Sequence, residues 1–232
     1  PFVRGLSQQS MREDTAIAHD ARVFGDWSEI APHLIGATEF RNSMGQRLTI
    51  VNANRTPIES VLGVDLIYYN HSFNSYLIVQ YKMLRREGNG EPVYRPSGDS
   101  SFEEELIRMH RVNCDRTFGS SGDYRLGPEA CLLKFCYADT PLSSSLEMIP
   151  GFYVPLGYWD ILADEAALVG PRGGRVVSCA RLPRTLSKTD VVSLVSGGWI
   201  GSVGIATDEI TSVIRGALQA RHSVILATTG SA

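Results

Sequence analysis

Between residues 64 and 83 the chain carries two apolar stretches, 64–69 and 76–83, and in the second both alternating sets of positions are largely apolar. This pattern predicts two β-strands, the second covered on both faces and therefore inside a sheet. The polar segment Asn70-His71-Ser72-Phe73-Asn74-Ser75 between them fits a hairpin turn. Upstream, the spacing of Met11, Ile17 and Val23 predicts a helix over 10–24, with Arg12, Glu13 and Asp14 near its start, where acids suit the helix dipole. Residues 25–45 read as irregular. A short strand follows at 47–51, and Thr56-Pro57 opens a helical turn that Gly63 ends, because proline is favoured at the first helical position.

The Gly-, Pro- and charge-rich stretch 85–101 reads as a mobile loop. Phe102, Leu106 and Met109 then share one face of a helix over 102–112. Further elements are expected as strand at 130–137, helix at 156–168, strand at 175–180, helices at 187–195 and 208–220, and a last strand at 223–227. Strands that alternate with helices after the hairpin argue for an α/β (α+β) fold, a mixed sheet covered by helices. We read one domain, with its core at about 46–140 and a C-terminal α/β extension over 150–232. A chain that starts at Pro1 and ends Thr-Thr-Gly-Ser-Ala is also compatible with a fragment of a longer protein.

Composition narrows the class. The 232 residues are 43% hydrophobic and 20% charged, enough apolar material for a packed core. The 22 Lys+Arg against 25 Asp+Glu leave a net charge of -3, so no global basic excess announces a nucleic-acid binder. Any positive surface must be local, or come from a partner domain, a partner subunit or self-association into a homo-oligomer. No apolar run approaches the roughly 20 residues of a membrane span, and no secretory signal pattern opens the chain, so a cytoplasmic location is expected. Cys114, Cys131, Cys136 and Cys179 lack zinc-ligand spacing and read as buried free thiols.

The chemistry concentrates at the hairpin. Gln80 and Lys82 share one face of the second strand, and an ammonium there needs an acid beside it, since burying it unpaired costs several kcal/mol. Pairing the two strands brings Asp65 beside Gln80 and Lys82, and Glu59 lies one or two helical turns upstream, within reach of the same point. Carboxylate and amide oxygens are the hard ligands Mg²⁺ prefers, and such an ion can polarise a phosphate and acidify an attacking water. Lys82 would position that water or offset charge on the phosphoryl oxygens. An Asp and a Lys on neighbouring strands equally make an ordinary cross-strand ion pair.

Gly63-Val64-Asp65, followed by Gln80-Tyr81-Lys82 on an apolar strand, resembles the PD-(D/E)xK nuclease superfamily. The glutamine variant is similar to its Mrr-like restriction endonuclease branch. The resemblance covers about 56–112, with 130–137 as a continuation, and Val64 stands where the family has proline. It implies a restriction-endonuclease-like mixed β-sheet flanked by helices and a Mg²⁺- or Mn²⁺-dependent endonuclease that hydrolyses phosphodiester bonds, with DNA as the expected substrate, in restriction or anti-phage defence. Asp65, Gln80, Lys82 and Glu59 would be the catalytic set, with Asp65, Gln80 and Glu59 on the metal. A catalytically inactive module of the same fold, binding nucleic acid or a protein partner, is the alternative, and an unrelated α/β interaction domain comes third.

Arg55, Arg85, Arg86 and Arg95 flank the expected site and could contact phosphates, although a solvated surface accounts for them equally well. His71 reads as an exposed turn residue and His110 with Arg111 as cations at a helix end. Gly197-Gly198-Trp199-Ile200-Gly201 reads as a helix C-terminal turn with Trp199 anchored in the core, and Ser143-Ser144-Ser145 as a loop.

Overall fold

The computed structural model describes residues 11–216, apart from 27, 34–35, 89, 113–118, 128, 141–146, 164–165 and 172. In chain order the elements are α1 (Glu13–Asp20), β1 (Ser28–His33), β2 (Ala37–Arg41), β3 (Arg47–Asn52), α2 (Pro57–Leu62), β4 (Leu66–Asn70), β5 (Ser75–Arg86), β6 (Pro92–Val93), α3 (Phe102–His110), β7 (Cys131–Tyr137), β8 (Gly151–Pro155), α4 (Leu156–Ala163) and α5 (Lys188–Ser196). A helix over 205–216 follows. The strands form a mixed sheet in the order β1-β2-β3-β4-β5-β7-β8, and β6 pairs with the outer end of β5. All neighbours are antiparallel except β5 and β7, which run parallel.

The hairpin forms as its pattern requires. β4 and β5 pair antiparallel from Asn70↔Ser75 to Leu66↔Val79. β5 is buried on both faces from Ser75 to Leu84 because strands flank it on both sides and helices cover both surfaces. One face packs Ile67, Ile78, Leu84, Leu133 and Phe135 under Leu62, Phe102, Leu106, Met109 and Trp159. The other packs Leu77, Val79, Tyr81 and Met83 under Ala16 and Ile17 of α1 and Val191 and Val195 of α5. The α3 residues Phe102, Leu106 and Met109 are buried, as their spacing predicts.

Several expectations are corrected. Residues 25–45 contain β1 and β2, an added antiparallel pair that continues the sheet past β3. Residues 85–101 are not one loop: β5 runs on to Arg86, β6 pairs with it, a 3-10 turn spans Pro96–Gly98, and Tyr94 bridges Val177. The expected strand at 175–180 is reduced to bridges at Arg175 and Val177 and a 3-10 turn at Cys179–Arg181. β8 had no counterpart in the sequence reading, yet it is the edge partner of β7. Trp199 is 47% exposed rather than anchored in the core. Cys131 and Cys136 are buried thiols outside any disulfide, whereas Cys179 is exposed. Cys114, Ser143-Ser144-Ser145 and the strand at 223–227 lie outside the described residues.

A fully buried ion pair ties α1 to the sheet. The Asp20 carboxylate pairs with the Lys134 ammonium, both at 0% side-chain exposure. It also accepts from the Tyr81 hydroxyl at 2.9 Å and the Ile149 N–H at 2.7 Å. Burial opposes the charged carboxylate, but Lys134, the His19 ring and the Ile149 N–H outweigh it and hold Asp20 below its usual range. The ammonium lies 5.0 Å from the ring centroids of both Tyr81 and Tyr153. Lys134→Met removes the buried ammonium that balances the Asp20 carboxylate in the core and is expected to cost about 3–5 kcal/mol, whereas adding Asp20→Leu should recover most of that loss. Urea unfolding of the single and double variants checks the non-additivity, and equal losses in both would contradict it.

Candidate functional site

The site lies where β4 stops short. β4 begins at Leu66, opposite Val79, so β5 from Gln80 onward has no full strand on that side. Asp65 fills the gap. Its N–H donates to the Val79 carbonyl at 3.0 Å, and its Oδ2 accepts the Tyr81 N–H at 2.7 Å, doing for β5 what a strand carbonyl would do. Asp65 sits there because α2 delivers it. Thr56 caps α2 by accepting the Ile58 N–H, Pro57 occupies the first turn, and Gly63 ends the helix at φ 69. A side chain at Gly63 would meet the Glu105 carbonyl at 2.7 Å, so the close approach of α2 to α3 requires glycine there.

Asp65, Gln80 and Lys82 are each 2% exposed. Gln80 Oε1 is buried without a hydrogen-bond partner among the described residues. Lys82 does not pair with Asp65. Its Nζ lies 2.8 Å from Asp99 Oδ2 and 2.6 Å from Glu105 Oε2, and 5.3 Å from the Phe102 ring centroid. Asp99 follows the 3-10 turn, and its carboxylate also accepts from the Tyr94 hydroxyl at 2.9 Å and the Ser101 hydroxyl at 3.0 Å. Ser101 is not left over, as its hydroxyl reaches Glu105 Oε1 at 2.6 Å.

Glu59, expected in this set, is turned away. Its Oε2 accepts the backbone N–H of Arg55, closing the loop before α2, and its charge acts on Asp65 more weakly than that of Glu13. The acid that joins instead is Glu13, in the first turn of α1. Burial pushes its carboxyl up to about 7, Lys82 works against that rise, and Glu105, Asp99 and Asp14 add to it. Burial also raises the Asp65 carboxyl well above the usual range, the Tyr81 N–H opposes it, and Glu13 reinforces it. Lys82 shows the reverse balance. Burial disfavours its charge, but Glu105, Asp99 and Glu13 outweigh that and raise its pKa, so it stays an ammonium.

Glu13, Asp99 and Glu105 were missed for identifiable reasons. First-turn acids explain Glu13 and Glu105 by the helix dipole alone, and Asp99 sat in a stretch read as loop. The available signal was the buried Lys82, which demanded an acid that Asp65 does not supply.

Of the flanking arginines, Arg55 pairs with Asp14 at 2.5 Å, Arg86 with Asp139 at 3.1 Å and Arg95 with Glu87 at 2.6 Å. Arg85 is exposed and has no carboxylate partner among the described residues. A cleft of about 400 Å³ opens beside the cluster, lined by Glu13, Asp99, Arg85, Arg95, Tyr94 and Met83 among others. His71 is half-buried and shares a hydrogen bond of 2.8 Å with Thr49 Oγ1, so it is not simply an exposed turn residue. His110 lies 3.1 Å from Asp160.

Among the described residues no group of three or more His, Cys, Asp or Glu side chains is placed to hold a metal ion. Oxygen donors in this charge cluster include the carboxylates of Glu13 and Asp65 and the amide oxygen of Gln80, which has no hydrogen-bond partner among the described residues. In donor chemistry alone, carboxylate and amide oxygens are the hard ligands Mg²⁺ prefers. No helix among the described residues is long and apolar enough to cross a membrane. No protein-family model, curated protein or solved structure matched the chain.

Proposed function

We propose that this chain is a metal-dependent nuclease domain whose site is built from Glu13, Asp65, Gln80 and Lys82. The observation that carries the reading is Gln80: a buried amide oxygen without a partner among the described residues, in a cluster where burial and the Glu13 charge raise Asp65 and where burial and the Glu105 and Asp99 charges raise Glu13. Orphaned buried acceptors are rare in folded proteins, and clustered acids with raised pKa values mark functional sites. A cation bound among these three oxygens would relieve all of these costs together.

Glu13, Asp65 and Gln80 would hold the ion, and the ion would supply polarisation of the phosphate and a more acidic water. Lys82 keeps its charge through Asp99 and Glu105 and can donate to a non-bridging phosphoryl oxygen as negative charge develops there. Water would give up its proton to bulk solvent and its oxygen would add to phosphorus as one P–O ester bond breaks, and the departing oxygen would take up a proton from solvent. The Tyr81 N–H holds one oxygen of the Asp65 carboxylate, so this side chain is oriented by backbone and not by packing alone.

Incubation with labelled DNA in Mg²⁺ or Mn²⁺, with a chelator arm, is expected to give cleavage that the chelator removes. A second reading, a catalytically inactive module of this fold, is favoured by one feature: Lys82 is already held by two carboxylates. Absence of cleavage in both metals, together with no shift in thermal unfolding on adding either, would select it.

A further inference from the structure

We propose that the cleft beside the acid cluster takes a single-stranded polynucleotide, anchored through one backbone phosphate by Arg85, and discriminates against duplex. The proposal takes its purpose from the nuclease reading but is tested separately from it. Proteins that grip duplex through its backbone neutralise roughly 6–10 phosphates, because duplex carries one charge per about 1.7 Å of axis, while one strand carries one per about 3.4 Å. Among the described residues that line this cleft, the cations are Arg85 and Arg95, against the acids Glu13, Glu87 and Asp99. Arg55, Arg86 and Arg95 are each neutralised by a carboxylate. Arg95 is held by two hydrogen bonds, from Nε to Glu87 Oε1 at 2.6 Å and from an Nη to Glu87 Oε2 at 2.7 Å. Within the site, Glu13, Asp65, Asp99 and Glu105 surround the single ammonium of Lys82.

Arg85 stands apart in this electrostatic picture. It lies at the outer end of β5, where β6 pairs with it through Val93, and it lines the same cleft as Glu13 and Asp99. A guanidinium on a strand is held in place by the sheet, and it offers a planar donor fork matched to phosphate. The cleft volume of about 400 Å³ lies near the lower end of the roughly 300–1,000 Å³ typical of small-molecule sites, room for one nucleotide unit rather than a duplex. A nucleotide reaches such a site only when it is out of a base-paired stack, which a single strand allows without unpairing cost. The apolar walls, Met83 and Val93, suit a sugar or base edge.

The test is fluorescence anisotropy of the full chain, in chelator so that no cleavage occurs, with a labelled 20-mer as single-stranded DNA, as single-stranded RNA and as blunt DNA duplex. One or both single strands should bind at least tenfold more tightly than duplex, and the arm that binds identifies the sugar. Arg85→Ala should weaken that binding about five- to tenfold and make the slope of log K against log salt shallower by about 0.7. Arg95→Ala should leave both within twofold. Duplex binding equal to or tighter than both single strands would overturn the proposal, as would an Arg85→Ala protein with an unchanged salt slope. The same three substrates in Mn²⁺ separate the two readings. Cleavage of duplex as fast as single strand defeats the proposal while leaving the nuclease reading, and selective single-strand binding without cleavage does the opposite.

Discussion

Lys82→Met is expected to lower the rate of metal-dependent cleavage by about 10²–10³-fold, the usual cost of removing one preorganised donor to a developing anion. It should also destabilise the fold, because Glu105, 6% exposed, and Asp99 lose their shared cation. Breaking a buried pair from one side typically costs about 3–5 kcal/mol. The two effects are separable. In the native protein burial opposes the Asp99 charge, but Lys82 outweighs it and holds the carboxyl below its usual range. That stabilisation is present above the ordinary carboxylate pKa and is lost as pH falls through the depressed value. In Lys82→Met it is gone, so the gap in stability between variant and native protein should shrink as pH drops below about 4. Adding Asp99→Asn and Glu105→Gln should restore much of the stability and none of the cleavage. A triple variant that regains activity would remove Lys82 from the chemistry.

Glu13→Gln should change both metal affinity and the pH dependence of folding. The Glu13 carboxyl is raised from 4.5 to about 7, so the native state favours its protonated form. The associated stability is complete below the unfolded value of 4.5 and is lost as pH rises through about 7. On this count alone the metal-free protein should be less stable at pH 8 than at pH 4.5 by about 3 kcal/mol. Glu13→Gln cannot ionise there and should flatten that decline, raising the melting temperature at pH 8. A divalent cation should do the same for the native protein and do little for the variant, because binding N but not U stabilises by mass action. Thermal unfolding at pH 5.5 and 8, with and without Mn²⁺, reads all four combinations. Equal Mn²⁺ stabilisation of native and Glu13→Gln proteins would take Glu13 out of the ligand set.

The part of the fold legible in sequence is the part dictated by local periodicity. β4, β5 and β7 were marked by dense apolar runs, and α3 by one apolar stripe. α2 was marked by its punctuation, Thr56, Pro57 and Gly63. β1 and β2 were not legible. Ser28–His33 carries a proline and a histidine among few apolar residues, and only pairing with β2 makes it a strand. Such edge strands are stabilised by the neighbour they hydrogen-bond rather than by their own pattern. β8 escaped for the same reason, being five residues at the sheet edge beside β7.

By itself the sequence determined the central hairpin, and with it the face shared by Gln80 and Lys82 and the place of Asp65 just before the strand that pairs with β5, because strand period and a short turn favour the register that buries both strands. Only the tertiary structure decided which acids complete the cluster. Glu13, Asp99 and Glu105 come from a helix on the opposite face, a turn and a third helix, and nothing local distinguishes them from other polar residues. Glu59 was nearer along the chain but is held by the Arg55 N–H. Proximity to a buried charge is set by packing across many residues of separation, so the demand of Lys82 for acids could be read in sequence, while the residues that answer it could not.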